Sequence, residues 1–246
     1  MNIIACYSNK GGVGKTAAAV NLAYAFAATG RKTLLCDLDP QGASSFYFRV
    51  KPSKKLGEDR FFSDSKRFAK AIRASDYDNL DLLPANMDFR DFDIFLSNMK
   101  KQRTRLKKAL AAVDDDYEVV ILDCPPGLSR LSESVFRAAD RIVVPVIPTT
   151  LTERTLGQLY DFFQEQDYPR KKILPFFSMV QRTKNLHLET MEKLRGEYAN
   201  FLTTEIPFAT DIERMGIHRA PLATYAPNKP ANQAYTALWQ EVVERL

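Results

Sequence analysis

Seven consecutive residues near the amino terminus, Lys10-Gly11-Gly12-Val13-Gly14-Lys15-Thr16, have the types and spacing to hold a phosphate chain. The glycines remove side chains, so successive backbone N–H groups can converge on one anion. Lys15 is placed to neutralise the β- and γ-phosphates of a nucleoside triphosphate, and the Thr16 hydroxyl to ligate Mg²⁺. An apolar run precedes the loop and a helical pattern follows it, whose positive end adds to the attraction. The usual template has glycine five positions before Gly14, where this chain has Asn9. Asn tolerates a left-handed backbone better than other non-glycine residues, so the turn is expected to survive with Asn9 in it. Lys10, at the front of the loop, is a second lysine aimed at phosphate.

Two acidic strand ends complete the expected site. Leu34-Leu35-Cys36-Asp37-Leu38-Asp39 ends one apolar run with two carboxylates, and Val119-Val120-Ile121-Leu122-Asp123 ends another with one. A lone Asp after a strand is most simply a turn former or helix cap. Three of them in a chain with a phosphate loop point instead to Mg²⁺, with Asp123 at the Walker B position.

These residues need a frame. Strands are expected at Asn2–Ser8, Lys32–Leu38, Leu80–Pro84, Val119–Cys124, Arg141–Ile147, Ile173–Val180 and Leu202–Ile206. Helices are expected at Lys15–Ala28, Ser65–Ala74, Phe89–Val113, Leu131–Ala139, Leu151–Glu165, Leu186–Ala199 and Asn232–Leu246. Thr150 with Glu153 three residues on predicts a capping box. Strands apolar on both faces, alternating with helices, predict a doubly wound α/β fold. Its mostly parallel sheet carries helices on both faces and ligands at the strands' carboxyl ends. Residues 1–246 show no repeat and no linker, and read as one domain.

Composition narrows the function classes. No run approaches the about 20 apolar residues of a membrane-spanning helix, and the amino terminus lacks a signal-peptide core, so a cytoplasmic protein is expected. Cys6, Cys36 and Cys124 each sit in an apolar run without zinc-site spacing, as buried strand residues do. His187 and His218 read as packing or surface residues. The net charge is +5. Between Arg49 and Lys108 sixteen Lys and Arg face nine Asp and Glu, so the basic surplus is local. A local surplus is a candidate footprint for a polyanion.

Lys10–Thr16, Asp37-Leu-Asp-Pro-Gln-Gly42 and Ile121-Leu-Asp-Cys-Pro-Pro-Gly127 together resemble the ParA/MinD group of deviant Walker ATPases. Pro148–Leu151, Phe177–Val180 and Ile206–Phe208 look similar as well. The resemblance covers essentially the whole chain and is closest to ParA-type positioning ATPases. It implies ATP and Mg²⁺ as ligands and Lys10 as a signature lysine reaching the partner's nucleotide in an ATP-dependent homodimer. Asp39 would position the attacking water, with Asp37 as its switch-region neighbour. Met179, Gln181, Pro207 and Phe208 would line the adenine. Ala17 departs from the Thr or Ser of many relatives, although its N–H can still reach a phosphate. Turnover is expected to be slow and stimulated by an adaptor protein.

The resemblance divides by partner. One branch binds non-specific double-stranded DNA in the ATP state and so associates with the nucleoid. Lys193, Arg195, Arg214 and Arg219 fall where such relatives are basic, and Lys100–Lys108 is a second basic run. A helix-turn-helix ahead of the first strand is not expected. A MinD-like branch ends in a basic amphipathic helix lying on lipid. Here the end carries Glu241 and Glu244 against Arg245, so a helix docked on the domain with Trp239 inward is expected. Metabolic enzymes with the same loop form the third reading.

Overall fold

A computed structural model describes residues 1–51, 58–86, 89, 91–99 and 102–246. Its strands are β1 (Asn2–Cys6), β2 (Thr33–Asp37), β3 (Arg73–Ala74), β4 (Leu80–Leu83), β5 (Val119–Asp123), β6 (Arg141–Val146), β7 (Ile173–Val180) and β8 (Glu205–Pro207). The helices up to mid-chain are α1 (Lys15–Ala28), α2 (Ala43–Tyr47), α3 (Glu58–Ser63), α4 (Ser65–Ala71), α5 (Phe92–Ser97) and α6 (Arg105–Leu110). The rest are α7 (Arg130–Ala138), α8 (Thr150–Glu165), α9 (Asn185–Glu197), α10 (Thr210–Glu213), α11 (Met215–His218), α12 (Leu222–Tyr225) and α13 (Pro230–Glu244).

The strands form one sheet in the order β3-β4-β2-β5-β1-β6-β7-β8, parallel throughout except for β3 against β4. Successive residues of β1 and β5 point to opposite faces, and both faces are covered. Ile4, Cys6 and Ile121 lie under α1 and α13 with Leu22, Phe26 and Leu238. Ile3, Ala5, Val120 and Leu122 lie on the other face with Phe136, Leu156 and Phe163 of α7 and α8. That is why these strands read as unbroken apolar runs. β1 lies between β5 and β6, so the chain crosses it on the way from β5 to β6 and leaves a crevice at the carboxyl ends.

Several expected elements change. The helix expected at Ser65–Ala74 stops at Ala71, and Arg73–Ala74 become an edge strand too short to leave a pattern. The long helix at Phe89–Val113 resolves into α5 and α6, with residues 90, 100 and 101 outside the described ones. α5 ends where Ser97 donates its hydroxyl back to the Asp93 carbonyl at 2.8 Å and Asn98 follows, residues that compete with helical bonding. The Thr150/Glu153 capping box is not formed. Thr149 precedes the helix without a side-chain cap bond, and Glu153 pairs with Lys193. A reciprocal box stands instead at Ser129 and Ser132, opening α7. β8 starts only at Glu205, and the Thr203 and Thr204 amides before it donate to the Glu241 carboxylate at 2.7 Å each.

Candidate functional site

The loop between β1 and α1 lies at the crevice. Gly12 and Gly14 have φ of 72° and 96°, a conformation that costs a side chain. Gly14 is also held by space, since a Cβ there would stand 2.9 Å from Ser178 Oγ. Asn9 is not in a left-handed conformation, contrary to expectation. It fixes the loop through its side chain, accepting from the Tyr7 hydroxyl and donating to the Thr155 carbonyl of α8 at 3.3 Å. Val13 is buried as the loop's anchor, whereas Gly11 and Gly12 face solvent. Lys15 is 7% exposed, and its ammonium donates to the Lys10 carbonyl at 2.9 Å. Burial lowers its pKa, while the Asp123 and Asp39 carboxylates act to hold the charge.

Parallel pairing sets Asp37 opposite Asp123 at the ends of β2 and β5. Asp37 accepts from the Ser45 amide at 2.8 Å and the Ser45 hydroxyl at 2.6 Å. Asp123 accepts from the Ser44 hydroxyl at 2.7 Å. Each carboxylate keeps one buried oxygen, Oδ1, without a hydrogen-bond partner. Burial pushes both above the usual carboxylate range, and for Asp37 the Asp123 charge adds to this. Thr16 and Lys15 act in the opposite sense on Asp123. Two orphaned oxygens beside a threonine hydroxyl and a buried lysine are the donor set of a hard divalent cation next to phosphate. Mg²⁺ therefore fits Thr16, Asp37 and Asp123. Asp39, partly exposed, accepts from the Gln41 amide at 3.0 Å, and its charge acts on both Lys15 and Asp123. Ser44 and Ser45 of α2 escaped the sequence reading. The signal available was the Ser44-Ser45 pair two residues after the Gly42 turn.

The expected adenine residues sit at the ends of β7 and β8. Met179 has φ of 55°, unusual for a side-chain-bearing residue, where the β7–β8 register shifts. Ser178 against Gly14 places this bend beside the phosphate loop. The Gln181 amide donates to His187 Nδ1 at 3.2 Å, so His187 is a packing residue, and burial, with the nearby Lys184 charge, lowers its pKa. Pro207 is half-buried and Phe208 is 53% exposed, its amide donating to the Val180 carbonyl.

The four basic candidates divide into two pairs. Lys193 pairs with Glu153, and Arg195 with Glu205 at 3.1 Å. Arg214 is exposed and flanks α11, at whose end Arg219 lies over the Phe46 ring. In the second basic run, Arg103 pairs with Glu133 while Lys107 and Lys108 are exposed, and Lys100 and Lys101 fall outside the described residues. Cys6, Cys36 and Cys124 are buried and free, as expected.

A family model described as an AAA domain (AAA_31) matches residues 1–174. The sporulation initiation inhibitor protein Soj of Bacillus subtilis is 30% identical over 248 residues, covering 98% of this chain and 97% of Soj. The chain belongs to the ParA/MinD family of P-loop ATPases. The chromosome partitioning protein ParA of Myxococcus xanthus is 28% identical, over 98% of this chain and 88% of that one. Cobyrinic acid a,c-diamide synthase from Mycobacterium smegmatis, solved with an ATP analog and magnesium, superposes with a TM-score of 0.80. It is 26% identical and covers 99% of this chain and 95% of that one. The ParA/MinD assignment matches the doubly wound sheet and the loop of two lysines.

Proposed function

We propose that this chain is an ATP-driven, dimerising ATPase switch that binds duplex DNA without sequence preference and partitions or positions an intracellular cargo. The observation that carries the reading is the division of the two loop lysines. Lys15 is buried beside Asp123, whereas Lys10 heads the solvent-facing glycines. One lysine serves the nucleotide within the chain and the other is free to serve a nucleotide held by a second copy.

In this reading Lys15 turns from the Lys10 carbonyl to the phosphates, and the amides of residues 11 to 17 cradle them, Ala17 through its backbone. Thr16, Asp37 and Asp123 would hold Mg²⁺, which would supply positive charge beside the phosphates. Asp39 orients the attacking water. Met179, Gln181, Pro207 and Phe208 border the base. Loss of the γ-phosphate removes what both copies share, so the dimer opens, with an adaptor protein setting the rate. The relatives named for partitioning support a cytoplasmic, nucleoid-associated role.

A membrane-surface role for the last helix is disfavoured by its packing. Tyr235, Leu238 and Val242 of α13 are buried, and Trp239 meets the Phe26 ring edge-on at 6.0 Å. Its apolar face is already used.

The test is binding to a random-sequence duplex with ATP·Mg²⁺ and with ADP across salt. ATP-dependent binding that weakens steeply with salt is expected. Equal or absent binding with both nucleotides would overturn the DNA reading and turn attention to an amidating reaction like the synthase's.

A further inference from the structure

A second basic feature adjoins Arg214 and Arg219, at the β3 edge of the sheet. A surface groove of about 440 Å³ lies between the chain following α2 and strand β3. Arg49, Lys51, Arg73, Ser75 and Asp76 line it. Arg49 is neutralised by Asp76, at 2.6 Å. Lys51 and Arg73 are exposed, and among the described residues neither has a carboxylate partner. Arg73 is nonetheless fixed, because its guanidinium donates to the Lys70 and Ile72 carbonyls at 2.7 and 2.9 Å. Those acceptors are uncharged, so the cation stays available.

The groove and the Arg214/Arg219 region are joined by bonds. Arg49 donates to the Arg219 carbonyl at 3.2 Å, and Arg219 donates to the Phe46 carbonyl at 3.0 Å while its guanidinium covers the Phe46 ring, 4.4 Å from its centre. Arg49 and Arg219 both hold left-handed backbones, with φ of 59° and 49°. Such conformations are costly for side-chain-bearing residues and persist where surrounding contacts enforce them. Two of them bonded to each other mark a built junction.

We infer that the DNA-contacting surface continues from Arg214 and Arg219 across the end of α2 into this groove, where Lys51 and Arg73 take phosphates of duplex DNA. The inference rests on the DNA-binding reading above. Charge complementarity selects a polyanion. Duplex DNA is favoured over a lipid surface because the surface is built from the two-residue β3, the end of α2 and the four-residue α11, with no long amphipathic helix to lie among headgroups, although Phe46 and Ile217 are exposed. The junction also has a link to nucleotide. α2 carries Phe46 at one end and, at the other, Ser44 and Ser45, which bond Asp123 and Asp37. A shift of α2 on nucleotide binding would therefore be felt at the groove.

The test compares wild type with Lys51→Gln/Arg73→Gln, measuring duplex affinity with ATP·Mg²⁺ over a range of salt. Two lost phosphate contacts should reduce the slope of log affinity against log salt by about 2, at about 0.9 per phosphate. Basal ATP turnover and ATP-dependent mass should be unchanged. Lys51→Gln alone should reduce the slope by about 1, which guards against a folding defect in the double variant. Wild type that binds duplex with the same slope as both variants overturns the groove and leaves the DNA reading standing. Wild type that binds vesicles rich in anionic lipid but not duplex, or neither, overturns both.

Discussion

Lys15 and Lys10 are five residues apart and meet different physics. Lys15 is desolvated, so its charge depends on phosphate and the nearby carboxylates. Lys15→Ala should weaken MgATP binding by about a hundredfold, since truncating a buried charged contact costs about 3 kcal/mol. Fluorescent-nucleotide titration measures this, and a change under threefold would contradict the assignment. Ser45 is the residue that the sequence hid. Its hydroxyl donates to Asp37 and accepts the Ala85 amide at 2.9 Å. Ser45→Ala leaves two buried groups short of partners and should cost about 2–4 kcal/mol in urea unfolding. The glycines, lysines and carboxylates of the site were legible because chemistry demands those types at fixed spacing. Ser44, Ser45 and the Asn9 side-chain bonds were not, because a hydroxyl or amide finds its partner only after the chain folds.

Among the elements, the strands that bear the site were legible to within about two residues, since each is apolar on both faces. The short helices after the phosphate site and the two-residue β3 were not, as four or five residues carry no readable period. Thr203–Thr204 show a third limit. A strand was expected from Leu202, but Glu241 of α13 takes the Thr203 and Thr204 amides. Burial alone would raise the Glu241 pKa, yet bonds from Thr204 and Thr203 outweigh it and hold the carboxyl below the usual glutamate range. A depressed pKa contributes stability that is present above the unfolded value and lost as pH falls through the folded one. Glu241→Gln should therefore cost about 1–2 kcal/mol at pH 7, with the gap to wild type closing below about pH 4. Unfolding curves at several pH values measure this, and a gap independent of pH would contradict the role.

For the whole molecule, the sheet order creates one crevice, and the phosphate loop, Asp37, Asp123 and the β7 bend all open into it. The fold class was legible from alternation alone, whereas the partner was not, because exposed cations look alike in sequence whether they are paired, as Lys193 and Arg195 are, or unpaired. The central claim is that two copies share nucleotide through Lys10. The most direct measurement is solution mass by light scattering for Asp39→Ala and for Lys10→Ala, each with ATP·Mg²⁺ and with ADP. From a protomer of 27.9 kDa, Asp39→Ala should double its mass with ATP and return to one copy with ADP. Lys10→Ala should bind ATP and remain a single copy. A single copy for Asp39→Ala with saturating ATP, or a dimer for Lys10→Ala, would contradict the switch.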